Sequence, residues 1–343
     1  MGPDGTISVP AFDWPMPSAV SEQVRKGLIA WASSGRSGLP SFEGISNEAE
    51  FAAYVNAYRD EVDGFIGPTS EIVAGRFPVE LEPAVMGGVP VEDIRGPNSD
   101  ERSVLINLHG GAFIAGAKYH GRIESIPLAH LGNFRVVAVN YRQAHEHKFP
   151  AASEDVAAVY QSLLEEYPPS RIGIFGGSAG GALTAQAIAW FIEKGLPVPA
   201  VAGIFSSGGA DTDGDSKYFS AMAGSKPIPS PDRDPVSETI RNRFSYLSEV
   251  TTEDPLAFPL YAQPEVHAQY PPTMFLTGTR AFDLSPTIAF HRALVRAKVA
   301  ASLHVFEGMG HCFYYGGLSA EALDAHETMI RFFRQHLGDV AEP

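Results

Sequence analysis

One cysteine, Cys312, stands among 343 residues, which rules out an internal disulfide and any metal site built on paired thiolates. Basic residues are also scarce. Lys and Arg number 25 against 40 Asp and Glu, a formal charge of −15, so the surface lacks the clustered cations that give nucleic-acid binding most of its affinity. Nucleic acid is therefore not an expected partner. No apolar run approaches the roughly eighteen residues of a membrane span, so no membrane association is expected. The N-terminal residues carry prolines and acids in place of the basic start and apolar run of a signal peptide. With the lone thiol, this makes a reducing, cytoplasmic setting the expectation.

What is present is a strong strand-helix rhythm. Hydrophobic residues make up 44% of the chain, enough for a large core, and the length suits one α/β unit with an added cap. Residues 1–75 hold two helical patterns, Val20–Trp31 and Glu48–Val62, separated by the breaker-rich run Ser33–Pro40. Neither follows a strand, which predicts a helical cap segment. Strands over Val79–Met86 and Val89–Ile94, joined by Gly87-Gly88, predict an antiparallel hairpin at the edge of a sheet.

Then follow strand Ser103–Leu108, helix Ile123–Leu131, strand Arg135–Tyr141, helix Ala151–Tyr167, strand Arg171–Phe175, helix Gly181–Lys194 and strand Ala200–Ser206. Such alternation implies a parallel sheet covered on both faces, an α/β fold. Residues 207–247 break the rhythm, with one helix expected over Ser237–Leu247, and read as a cap insertion. The alternation resumes with strand Thr273–Thr277, helix Ser285–Ala297, strand Ala301–Phe306 and helix Ser319–His336. The α/β domain is thus expected over 76–206 and 248–343.

Chemistry is suggested by Gly176-Gly177-Ser178-Ala179-Gly180, at the junction of an apolar strand and a helix. A serine presented on a sharp strand-to-helix turn needs small neighbours, and its hydroxyl is then exposed above the sheet. The pentapeptide alone is weak, and context strengthens it. The strand ending at Leu108 runs into His109-Gly110-Gly111-Ala112, the kind of loop whose amides hold a developing oxyanion. Backbone donors are expected from Gly111, Ala112 and Ala179, with Gly110 a further candidate.

A serine hydroxyl needs a base, and the base needs a third group to fix its tautomer. His311 follows the last strand in a glycine-containing loop, where the base belongs. Asp283, just beyond the strand that leads into Thr277-Gly278-Thr279-Arg280, is the expected acid. Asp254, Glu307 and Asp324 compete with it. Two other patterns fail as metal sites. Asp211–Asp215 opens like a calcium loop, but its glycine is at the fourth position and Met222 stands where a bidentate glutamate is required. His145-Glu146-His147 has no third ligand at helical spacing.

Taken together, His109-Gly-Gly-Ala112, the run Asn140–Ala152 with Glu154-Asp155 after it, Gly176–Gly181, Asp254-Pro-Leu256 and Gly308-Met-Gly-His311 resemble the bacterial hormone-sensitive-lipase family of α/β-hydrolases, the family IV carboxylesterases. The resemblance extends from about Ser103 to the C-terminus. It implies an α/β-hydrolase fold, with a mostly parallel eight-stranded sheet flanked by helices and a helical cap. It also implies hydrolysis of small esters with short acyl chains, no cofactor or metal, and frequent homodimers. The residues it points to are Ser178 as nucleophile, His311 as base, and Gly110, Gly111 and Ala179 in the oxyanion hole. This chain departs from the pattern in three places. Gly177 stands where the nucleophile motif usually carries Asp, Ala112 replaces a third glycine, and Ala281 occupies the usual place of the acid, two residues before Asp283. An amidase, lactonase or deacetylase would use the same attack. A ligand receptor on the same scaffold would be expected to lose the base, which is present.

Overall fold

The structure, a computed structural model, describes residues 3, 13–33, 40, 42, 44–210, 213–219 and 243–338. Two helices come first, α1 (Glu22–Ser33) and α2 (Glu48–Arg76), followed by the hairpin β1 (Glu80–Met86) and β2 (Val89–Arg95). Then come β3 (Asp100–Leu108), α3 (His120–Leu131), β4 (Phe134–Val139), α4 (Ala151–Leu164), β5 (Ile172–Gly177), α5 (Ala179–Glu193) and β6 (Val201–Phe205). The short α6 (Ser216–Phe219) and α7 (Pro264–His267) precede β7 (Thr273–Gly278), α8 (Leu284–Arg296), β8 (Ala301–Phe306) and α9 (Ala320–His336).

All eight strands form one sheet in the order β1-β2-β4-β3-β5-β6-β7-β8. The first hairpin is antiparallel, as is the pairing of β2 with β4, and every other pair is parallel. Central strands are apolar on both faces because both are covered. On β3, Val104, Ile106 and Leu108 face a core shared with α4, α5 and α8, while Leu105 faces a second core shared with α3, α9 and the later part of α2. Each fully buried Leu, Ile or Phe in these layers contributes about 1.5–3 kcal/mol relative to exposure.

Helix α2 is longer than the sequence pattern predicts. It starts as expected at Glu48, and Asn47 caps it: Asn47 Oδ1 accepts from the Glu50 amide at 3.0 Å, while Glu50 Oε2 accepts from the Ser46 amide at 2.8 Å. It then continues past Val62 and through Pro68 to Arg76. Proline forfeits one intrahelical bond, yet Ile66, Ser70 and Val73 are buried and Gly67 lets the Tyr119 ring approach. Packing against the α3 region therefore overrides the local stop signal, and the boundary expected at 75 falls inside this helix. Helix α1, in contrast, buries none of its residues.

Most of the helix expected over Ser237–Leu247 lies outside the described residues, and its described end, 243–247, forms turns instead. The Asp211–Asp215 pattern lies partly outside them too. Among the described residues no helix is long and apolar enough to cross a membrane.

Candidate active site

Neighbouring strands β3 and β5 leave the sheet in opposite directions, β3 towards α3 on one face and β5 towards α5 on the other. A crevice opens beyond the carboxyl ends of such a pair. Ser178 stands there, between the last residue of β5 and the first of α5, with φ 58° and ψ −121°. A non-glycine residue held so costs roughly 1–3 kcal/mol. The turn is fixed on both sides: the Ser178 amide donates to Phe205 O at 3.0 Å, and its carbonyl accepts from the Ala182 amide at 3.0 Å. Close packing sets the neighbour as well, since a Cβ at Gly180 would collide with the Leu108 carbonyl.

The structure brings Ser178, His311 and Asp283 together from β5, the loop after β8 and the start of α8. Ser178 Oγ lies 2.8 Å from His311 Nε2, and His311 Nδ1 lies 2.6 Å from Asp283 Oδ1. With Asp283 ionised, Nδ1–H donates to it and Nε2 is left to accept from the serine hydroxyl. Asp283 sits at the N-cap position of α8 but makes no capping bond. Its other oxygen accepts from Thr277 Oγ1 at 2.5 Å and from Thr287 Oγ1 at 3.5 Å, and the residue is only 2% exposed. The competing acids are elsewhere engaged or remote: Asp254 Oδ1 accepts from the Leu256 amide at 2.9 Å, and Glu307 and Asp324 are exposed. Burial by itself favours the neutral imidazole of His311. The neighbouring Cys312 sulfur and the Asp283 carboxylate outweigh it and raise the pKa above its ordinary 6.5.

The loop after β3 lies against the serine, for a Cβ at Gly110 would fall 3.3 Å from Ser178 Cβ. Gly111, Ala112 and Phe113 have positive φ values of 119°, 54° and 59°, which turn the chain sharply. The Gly111 carbonyl points into that turn and accepts from the amides of Ile114 and Ala115, both at 3.0 Å. Behind the loop, His109 Nδ1–H donates to Gly110 O at 2.7 Å, and the Tyr141 hydroxyl donates to His109 O at 2.6 Å. Burial pushes the His109 pKa down to about 3, so this ring is neutral. Gly111, Ala112 and Ala179, with Gly110 a further one, remain the candidates to meet a substrate oxygen. Ala179 opens α5, where the first amides have no intrahelical partner.

Several contacts that hold this site were not foreseen in the sequence. Arg59 of α2 donates to Ile114 O at 2.7 Å and to Ala144 O at 2.9 Å, and pairs with Glu146 at 2.7 Å. Glu146, between His145 and His147, thus serves as a tether for α2. Thr277 was visible only as the head of the Gly-Thr-Arg run, and nothing in the pattern separated Glu124 from a solvent-facing helical glutamate. Among the described residues no group of three or more His, Cys, Asp and Glu could hold a metal ion.

Residues 105–315 match the family model described as alpha/beta hydrolase fold. The chain belongs to the α/β-hydrolase fold family. Over 259 residues it is 28% identical to an acetyl-hydrolase of Streptomyces hygroscopicus, covering 74% of this chain and 82% of that protein. Its structure is similar to that of an esterase, E25, with a TM-score of 0.80 and 27% identity over 96% of this chain and 99% of the other. An esterase from the bacterial hormone-sensitive-lipase family gives a TM-score of 0.72 and 26% identity, over 93% and 100% of the two chains. These likenesses agree with the family resemblance carried by the sequence motifs.

Proposed function

We propose that the protein is a serine carboxylesterase acting on small esters with short acyl chains. The observation that carries this reading is the continuous relay from Ser178 Oγ to His311 at 2.8 Å and from His311 to Asp283 at 2.6 Å. In the proposed reaction His311 Nε2 removes the serine proton as Oγ attacks the ester carbonyl. The amides of Gly111, Ala112 and Ala179 hold the oxyanion, and the imidazolium then protonates the departing alcohol. An acyl-enzyme remains on Ser178. His311 next activates water, which attacks that ester, and the acid leaves with the serine proton restored.

Asp283 fixes the imidazole tautomer and stabilises its positive charge. The acetyl-hydrolase name of the Streptomyces relative supports an acyl group as short as acetyl. The test is release of nitrophenol from nitrophenyl acetate, butyrate and decanoate, with wild type beside Ser178→Ala. Hydrolysis of the two short esters that disappears in the variant is the expected result. Equal rates for the two proteins would remove the serine from the chemistry, and faster cleavage of decanoate would overturn the short-chain assignment.

A further inference from the structure

Glu124 is a carboxylate with no part in the relay, yet it lies under every segment that builds the site. It projects from α3, is only 2% exposed, and accepts hydrogen bonds from two other segments. Asn107 Nδ2, near the end of β3, donates to Oε2 at 2.7 Å. The Tyr315 hydroxyl, four residues beyond His311, donates to Oε1. The amides of Gly110 and Gly177 favour its charged form, the first immediately before the oxyanion donors and the second immediately before Ser178. Space at the turn tells the same story. A Cβ at Gly177 would fall 2.9 Å from Glu124 Oε1 and collide with the Tyr314 hydroxyl. The volume that a side chain of the nucleophile motif would take is filled by a carboxylate supplied from α3 and by a tyrosine.

We propose that Glu124 is a positioning residue, whose ionised carboxylate ties the nucleophile turn, the oxyanion loop and the His311 segment into one register. This inference rests on the esterase reading above. Two side-chain donors, with two amides that favour the charge, suit an ionised carboxylate, which only accepts, whereas a protonated acid would turn an O–H towards one of them. The titratable groups around it are the phenols of Tyr141, Tyr314 and Tyr315, with His109, which donates to the Gly110 carbonyl, and His120. Burial holds His109 and His120 neutral, with pKa values pushed down to about 3 and about 4, and pushes the phenols up. Burial also pushes the Glu124 carboxyl up to about 7 against the pull of its donors. The site therefore tightens as pH rises through neutrality.

Glu124→Gln is the test, since it keeps the shape and removes the ionisation. On a short nitrophenyl ester the expected result is a kcat lower by roughly 10- to 100-fold with KM changed less than about twofold, as for reacting groups slightly misplaced. Near pH 7 the acid limb of log kcat/KM should be steeper than one in the wild type, where Glu124 and His311 titrate together, and should keep a slope of one in the variant. Partial recovery of kcat in Glu124→Asp is expected. Unchanged kcat and an unchanged limb in a folded Glu124→Gln protein would overturn the proposal.

If Glu124→Gln fails to fold, Tyr315→Phe reads the same coupling: kcat reduced with KM held supports it, and kcat within about twofold of wild type overturns it. A second readout does not depend on hydrolysis. In protein carrying ¹⁵N-glycine, the Gly110 and Gly177 amide resonances should titrate near pH 7 in the wild type and stay flat in a folded variant. Resonances that do not move sink the Glu124 proposal whether or not the protein cleaves esters. Esters left intact by a wild type whose resonances do titrate sink only the esterase reading.

Discussion

Helices α1 and α5 are of similar length and could hardly be more differently used. The first spans 12 residues and buries none, while the second spans 15 and buries twelve of them, including every residue of its first three turns. What they teach is a division of labour. The hydroxyl of Ser178 needs a strained turn to stay in place, and only a helix locked on all sides can maintain that strain. Residues of α1 can be loosely packed because no reacting atom is anchored there. The segment before α1 is attached through a few polar contacts: Pro15 O accepts from Arg280 at 2.6 Å, and the Ser21 hydroxyl donates to Glu321 at 2.8 Å.

This contrast can be broken at several points. Replacing Ser178 by Ala should lower kcat by roughly 10⁴- to 10⁶-fold while leaving thermal unfolding almost unchanged, measured by ester hydrolysis and circular dichroism. Asp283→Asn comes next, with a loss on the order of 10³- to 10⁴-fold in kcat. It also carries a pH signature. Because the carboxylate helps raise the His311 pKa above 6.5, its removal lets that pKa fall, and the acid limb of kcat/KM should move to lower pH.

Two further variants compare the helices directly. Leu183 of α5 is fully buried, so Leu183→Ala should destabilise by about 2–5 kcal/mol in denaturant melts. Ile29 of α1 is 51% exposed, and Ile29→Ala should stay within about 0.5 kcal/mol in the same melts. A loss above about 2 kcal/mol at Ile29 would mean that α1 is integral to the core after all.

Most of the scaffold was legible because parallel strands buried on both faces leave uninterrupted apolar runs between helical periods. The hairpin at Gly87-Gly88, strand β8 and the strand-turn-helix at Ser178 follow from local chemistry alone. The far half of α2 was not legible, since the sequence pattern predicts helix only to Val62 and contact with the α3 region carries the helix on through Pro68. In the site, Ser178 and His311 were marked by turn residues around them. Asp283 was harder to see because Ala281 holds the usual place, and its environment depends on Thr277 and Thr287, one on a strand and the other on a helix. Glu124 was hidden for a stronger reason. Its donors are Asn107 and Tyr315 and the turn it fills is at Gly177, and no local pattern can encode a meeting of such distant segments.

The guanidinium of Arg59 gears α2 to the turn that follows β3. It grips the carbonyl of Ile114, two residues beyond Ala112, and the carboxylate of Glu146 from a position midway along α2. Any sliding of that helix must either drag the turn with it or snap the grip, so the helix and the loop after β3 move as a single lever.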